Sequence, residues 1–205
     1  MSISSFAELQ TAITNWTQRS DLTARLPEFI TLAEAAFNRG FSESQPFRHF
    51  SQEANTTVSC SEYTTVPTDF LELRSIKGTW APTKKLEYMT PEVMDLTYTS
   101  TTTANPKNYT MEAGSIRLGP APSAGLTMKI LYYQKIGPLS GGVNWLLTNH
   151  PDVYLFGSLL HGGVFAHDDG QLQKVIAGYN SAVNGLRTSD KRVRFGGGAL
   201  QITAA

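Results

Sequence analysis

A chain of 205 residues and 22.4 kDa is long enough to bury a core and too short for two large independent domains. Lys and Arg number 17 and Asp and Glu number 17, so the molecule as a whole has no net field to hold a polyanion or an anionic membrane, and any such contact has to be local. The single cysteine, Cys60, excludes an internal disulfide, and with only four histidines beside it the chain has no structural zinc set.

Residues 1–20 alternate polar with apolar and hold no uninterrupted hydrophobic segment, which argues against a signal peptide or membrane anchor and predicts synthesis in a cytoplasm. Phe6, Leu9, Ile13 and Trp16 recur at helical spacing, and Ser5 with Glu8 has capping-box separation, so a first helix is predicted from Ser5 to Gln18. In "DLTARLPEFITLAEAAFNRG" the residues Leu26, Phe29, Ile30, Ala33 and Phe37 form one stripe. Pro27 is acceptable there only in the first turn, and Gly40 serves as a C-terminal stop.

Between residues 51 and 140 the period changes to two. "LTMKILYY" sets Leu126, Met128, Ile130 and Tyr132 against Thr127, Lys129 and Leu131, as a strand does. "YTMEAGSIRLGPAP" predicts a hairpin turning near Ala113-Gly114, and "TPEVMDLTY" a short helix with Thr90 as cap and Pro91 at its first position. Pro151 then opens a helix in which Val153, Tyr154, Phe156, Leu159, Leu160, Val164 and Phe165 cover most of the surface, the pattern of a central, buried helix. Gly162-Gly163 marks either a kink or the close approach of a neighbour. A last helix follows, with Leu172, Ile176, Tyr179, Val183 and Leu186 at steps of four and three, and Asp168-Asp169 as its cap.

Two helical ends that must meet, with strands between them, predict an α+β fold. It is an antiparallel α-helical bundle from residues 1–50 and 141–190, an inserted antiparallel β-rich module at 51–140 and an extended C-terminal arm at 191–205. Catalytic signatures are weak. No Gly-x-Ser-x-Gly elbow, phosphate-binding loop or dinucleotide fingerprint is present, and Cys60 has no histidine near it in sequence. His161 and His167, six apart, fall on different helix faces and make a poor chelate, so neither a catalytic residue nor a metal or other cofactor is expected. The unusual feature is the tail. "GLRTSDKRVRFGGGALQITAA" joins Arg187, Lys191, Arg192 and Arg194 to Phe195, a glycine run and the apolar Leu200 and Ile202, the composition either of a disordered end or of an arm that orders on a partner.

The stretch "SFAELQTAITNWTQRSDLTARLPEFITLAEAAFNR", the central "VPTDFLELRSI", and "NWLLTNHPDVYLFGSLL" with "DDGQLQKVIAGYNSAVNGL" resemble the head-to-tail adaptor proteins of tailed bacteriophages and related transfer particles. The resemblance lies in the order of packing signatures along the chain. It implies a structural virion protein rather than an enzyme, a helical bundle with a β-rich insertion, and a ring of copies, usually twelve. Such a ring is assembled in the host cytoplasm and stands at the head-tail interface between a portal protein and a tail or nozzle protein, with DNA only as passing cargo and no membrane. It further implies portal docking by Arg187, Lys191, Arg192, Arg194, Phe195, Leu200 and Ile202. Two other functions stand beside it: an HD-type metal-dependent phosphohydrolase using His161, His167 and Asp168, and a glycan- or receptor-binding β-module on a helical stalk.

Overall fold

A computed structural model describes residues 3–39, 48–100, 102–166 and 169–195. The chain divides into two compact units, Met1–Ser51 with Ile136–Ala205, and Gln52–Lys135.

The first unit is helical. Helix α1 (Phe6–Thr17) starts on Ser5, whose hydroxyl accepts the Glu8 N–H at 3.2 Å. The Glu8 carboxylate reaches back one residue further than a capping box requires, to the Ser4 N–H at 2.7 Å. A 3-10 turn (Ser20–Arg25) leads into α2 (Leu26–Arg39), with Pro27 in its first turn and Leu26, Phe29, Ile30, Ala33 and Phe37 buried; Gly40 lies outside the described residues. The second half of the unit holds α4 (Trp145–Asn149), α5 (Pro151–Ala166) and α6 (Asp169–Phe195). Helix α5 packs against α1, α2, α4 and α6, which makes it the centre of the bundle.

Its covering is less complete than the sequence predicts. Val153, Tyr154, Leu155 and Leu159 are buried, but Val164 and Phe165 are exposed, because burial by the other helices stops near Gly162. Glycine lets a neighbour come close. A Cβ on Gly163 would sit 3.2 Å from Leu172, tighter than ordinary contact, so this glycine serves the approach of α6, whereas one on Gly162 would make an ordinary 3.5 Å contact with the Phe29 ring of α2.

The second unit is β-rich and contains β1 (Glu53–Ser59), β2 (Tyr63–Thr65), β3 (Phe70–Gly78), β4 (Glu87–Tyr88), α3 (Pro91–Thr97), β5 (Asn108–Glu112), β6 (Ser115–Gly119) and β7 (Thr127–Gln134). Strands β1, β7 and β3 form one antiparallel sheet, and a second runs β2-β6-β5-β4. The β5–β6 hairpin turns at Ala113 and Gly114, both at positive φ (45° and 74°), as a two-residue turn between twisted strands needs. One pair departs from the antiparallel expectation: β4 pairs β5 in parallel, because the chain between them crosses over through α3 instead of turning back directly. Ile76, Leu86, Ile116, Leu118, Met128, Ile130 and Tyr132 make this unit's core.

The predicted arm also needs correction. Residues 191–195 are the last turn of α6, not extended chain. Between Leu186 and Phe195 the sequence has no glycine or proline to end the helix, and Arg192 and Arg194 suit the negative end of its dipole.

Candidate functional site

The basic end of α6 is the site singled out by sequence. The helix stripe that the sequence predicts is present, with Tyr179, Val183 and Leu186 buried and Leu172 and Ile176 half-buried. Past Leu186 the helix continues for more than two turns, and there the cations divide into two groups.

Lys191 and Arg192 are exposed, as are Val193 and Phe195, the last at 69% of its full accessible area. Arg194 instead turns inward. Its Nε donates to Asp190 Oδ2 at 2.7 Å, one helical turn back, and both side chains are largely buried. Asp190 in turn accepts the Phe50 N–H at 2.8 Å. Arg187 is half-buried and lies close enough to Tyr179 to oppose the upward push that burial gives that phenol. Of the residues predicted to dock, the structure therefore displays Lys191, Arg192 and Phe195 together, while Arg187 and Arg194 serve internal contacts. Leu200 and Ile202 lie outside the described residues.

Behind Asp190 lies a group of rings that sequence reasoning missed. His49 is 3% exposed and stacks on Trp145 with centroids 5.1 Å apart and planes 10° apart. Phe50 and His150 complete the group at 4.4 Å and 5.9 Å from the His49 ring. His49 Nδ1 accepts the Ser51 N–H at 3.2 Å, which fixes a neutral imidazole carrying its hydrogen on Nε2. Burial holds His49 below the ordinary histidine pKa; Asp190 pulls the other way, and His150 and Arg194 reinforce burial. His150 is lowered by burial too, against the pull of Asp152. No local spacing could have found this set, because its members come from residues 49–50, 145–150 and 190.

A second missed feature fixes the chain where it re-enters the helical unit. Asn38 brackets Ile136, its Oδ1 accepting the Ile136 N–H at 2.9 Å and its Nδ2 donating to the Ile136 carbonyl at 3.2 Å. One turn earlier on α2, buried Glu34 accepts the Leu139 N–H at 2.8 Å and has the Tyr154 hydroxyl as a further hydrogen-bond partner. Asn144 donates to that hydroxyl at 2.6 Å and to the Gly137 carbonyl at 2.7 Å, and its Oδ1 caps α4 by accepting the Leu147 N–H. Sequence signals for this were thin: a Glu and an Asn four apart on α2 look like solvated surface.

The other residues considered for chemistry are dispersed. His161 is half-buried near Arg39, and burial followed by that guanidinium lowers its pKa; His167 and Asp168 lie outside the described residues. Burial raises the Cys60 thiol above its ordinary pKa, the reverse of what a nucleophile needs. Among the described residues no group of three or more His, Cys, Asp or Glu could hold a metal ion, and no helix is long and apolar enough to cross a membrane. The apolar surface that stands out is a cavity of about 190 Å³ lined by Trp16, Leu22, Phe156, Gly163, Leu172 and Val175. Trp16 is 60% exposed beside it, edge-on to Phe156 at 5.5 Å.

The family model described as SU10 adaptor protein matches residues 4–200, covering both helical segments and the β-rich unit between them. A search of the curated proteins found no match.

Proposed function

Because the chain belongs to the SU10 adaptor protein family, a family of phage head-to-tail adaptors, we propose that it is a structural component of a virion, seated between the portal protein and the tail or nozzle protein. Copies stand side by side in a ring, twelve in number if it follows the resemblance, and DNA passes through as cargo. The match over residues 4–200 carries this reading. The exposed C-terminal end of α6 agrees with it. Lys191 and Arg192 offer point charges to acidic portal groups, and Phe195, with Leu200 and Ile202 beyond it, offers apolar anchors. Arg187 and Arg194 act at one remove, by holding the helix that presents them.

Each contact between neighbours is weak against the entropy of association, so the isolated chain stays monomeric and the portal supplies the template on which the ring closes. Light scattering on the purified chain should give a single-chain mass. Negative-stain images of the chain mixed with portal rings from its own particle should show an added ring of density. Removing residues 196–205 should abolish the added density, and Lys191→Glu with Arg192→Glu should weaken attachment in a salt-dependent way, since exposed ion pairs are screened over about 8 Å at physiological ionic strength. Portal rings that stay bare with the full chain would refute the function; rings decorated equally by the truncated chain would refute only the docking site.

A further inference from the structure

The outward face of the first sheet carries a charge pattern that the balanced composition conceals. Register places Lys129 of β7 directly opposite Lys77 of β3, and Lys77 opposite Lys85 in an isolated bridge on the other side. The alternate residues point inward. Ile130 pairs with Ile76, and the Leu86 N–H bonds to the Ile76 carbonyl, all three side chains being buried in the core. Lys129, Lys77 and Lys85 therefore stand exposed on one face, in a row across β7, β3 and the segment bridged to β3 at Lys85, with about 4.8 Å between neighbouring chains. Thr57 of β1, opposite Lys129, continues the row.

Like charges set directly opposite on one face are unfavourable for a sheet. The usual relief is an ion pair with an interleaved carboxylate; among the described residues no ion pair involves Lys77, Lys85 or Lys129, and the Glu53–Arg74 pair neutralises itself at the far end of β1. The rest of the face adds hydrogen-bonding groups. Asn55 and Ser59 are exposed on β1, and the Thr79 and Thr127 hydroxyls lie 2.6 Å apart. The groove beside Lys85 adds Lys84 and Lys107 against one carboxylate, Glu87.

We propose that this face of the β-rich unit binds the phosphodiester backbone of double-stranded DNA, with Lys77, Lys85 and Lys129 pairing to phosphates and Thr57, Asn55 and Ser59 donating hydrogen bonds to backbone oxygens. The chemistry decides between polyanions. Phosphate backbones are held by Lys point charges together with Ser, Thr and Asn donors, whereas a protein partner is held by large apolar anchors ringed with polar groups. No exposed large hydrophobic side chain lies on β1, β3 or β7. Binding is directed chiefly at the backbone rather than at sequence, since the face is mostly lysine and hydroxyl groups, and Asn55 is the one planar amide among the donors named. The proposal does not depend on docking to a portal; a chain that left portal rings bare would still show it.

Fluorescence anisotropy of the full chain with a labelled random-sequence duplex tests it, read as the slope of log affinity against log salt. Each phosphate neutralised contributes about −0.9 to that slope. The Lys77→Gln, Lys85→Gln, Lys129→Gln triple variant should flatten the slope by roughly 2 to 3 and weaken low-salt binding by about tenfold or more. It should also melt higher than the parent, since the opposed charges are gone. The corresponding triple Lys→Arg variant should keep the binding. An Arg25→Glu, Lys174→Glu double variant on the helical unit should bind as the parent does, while the charge-matched Lys77→Glu, Lys129→Glu double should not. Unchanged affinity in the Gln triple would overturn the proposal, as would equal loss in the Gln and Arg triples. Displacement of the duplex by polyglutamate at lower concentration than by unlabelled duplex would assign the face to an acidic protein instead.

Discussion

Glu34, Tyr154 and Asn144 make a testable unit, because a carboxylate buried to 8% exposure is held by a backbone N–H and a phenol at the point where the chain re-enters the helical unit. Tyr154→Phe removes the hydroxyl and little else. Asn144 keeps the Gly137 carbonyl, and Glu34 keeps the Leu139 N–H. A hydrogen bond to a charged group contributes about 1.5–3 kcal/mol and one to a neutral group about 1 kcal/mol, so Tyr154→Phe should cost about 2 kcal/mol in the parent and about 1 kcal/mol in the Glu34→Gln background. Urea unfolding followed by tryptophan fluorescence in a Trp80→Phe background reports the helical unit alone, since Trp16 and Trp145 both lie in it. With a slope near 2 kcal/mol/M, a 2 kcal/mol loss moves the midpoint by roughly 1 M. The pH dependence supplies a second reading. Burial raises the Glu34 pKa against the pull of its two hydrogen bonds, so protonation favours the folded state; that contribution is full below 4.5 and lost as pH rises through the raised value. Glu34→Gln should therefore leave the unit at least as stable as the parent at neutral pH and bring no gain in acid. A cycle with no coupling, or a Glu34→Gln variant weaker than the parent at neutral pH, would refute the network.

Gly178→Ala would put a Cβ 2.7 Å from the Phe156 ring and should cost about 1–3 kcal/mol by overpacking, whereas Gly185→Ala on the same helix meets nothing within 4 Å and should stabilise by up to about 1 kcal/mol; urea midpoints separate them. Asp190→Ala removes both the partner of Arg194 and the acceptor of the Phe50 N–H, and should lower the midpoint by an amount worth about 1–3 kcal/mol. The lowered pKa values of His49 and His150 mean that the unfolded chain takes up more protons below 6.5, so their stabilising contribution is complete above 6.5 and lost as pH falls below it. His49→Phe keeps a ring on Trp145 and should flatten that fall; midpoints compared at about pH 7.5 and about pH 5.5 test it.

What was legible depended on how far apart the determining residues lie. The helices α1, α2 and α6, the β5–β6 turn and strand β7 announce themselves within a few residues, through Ser5, Pro27, Ala113-Gly114 and the alternation of Met128, Ile130 and Tyr132. The parallel β4–β5 pair did not, because β4 is two residues long and its partner is set by the path through α3. The helical state of residues 191–195 is hidden from the sequence for a related reason. Basic residues followed by glycines look like an arm, yet an Asp and an Arg four apart on a helix favour one more turn, and the residue that Asp190 also holds, Phe50, is 140 positions away in sequence.

Charge shows the same limit more sharply. The count of 17 against 17 speaks only to the field at a distance, where opposite charges cancel. At the scale of a Debye length, about 8 Å, what matters is which residues register sets side by side, and period-two pairing can gather lysines 77, 85 and 129 into one row although 44 and 8 positions separate them in sequence. Moving β7 by one residue against β3 would have turned Lys129 inward and Ile130 outward, at a cost in buried apolar area that the core could not bear. The burial of Ile76 and Ile130 thus fixes the lysine row as a by-product of packing, and it is the lack of an ion pair to Lys77, Lys85 or Lys129 among the described residues that makes the row informative about function.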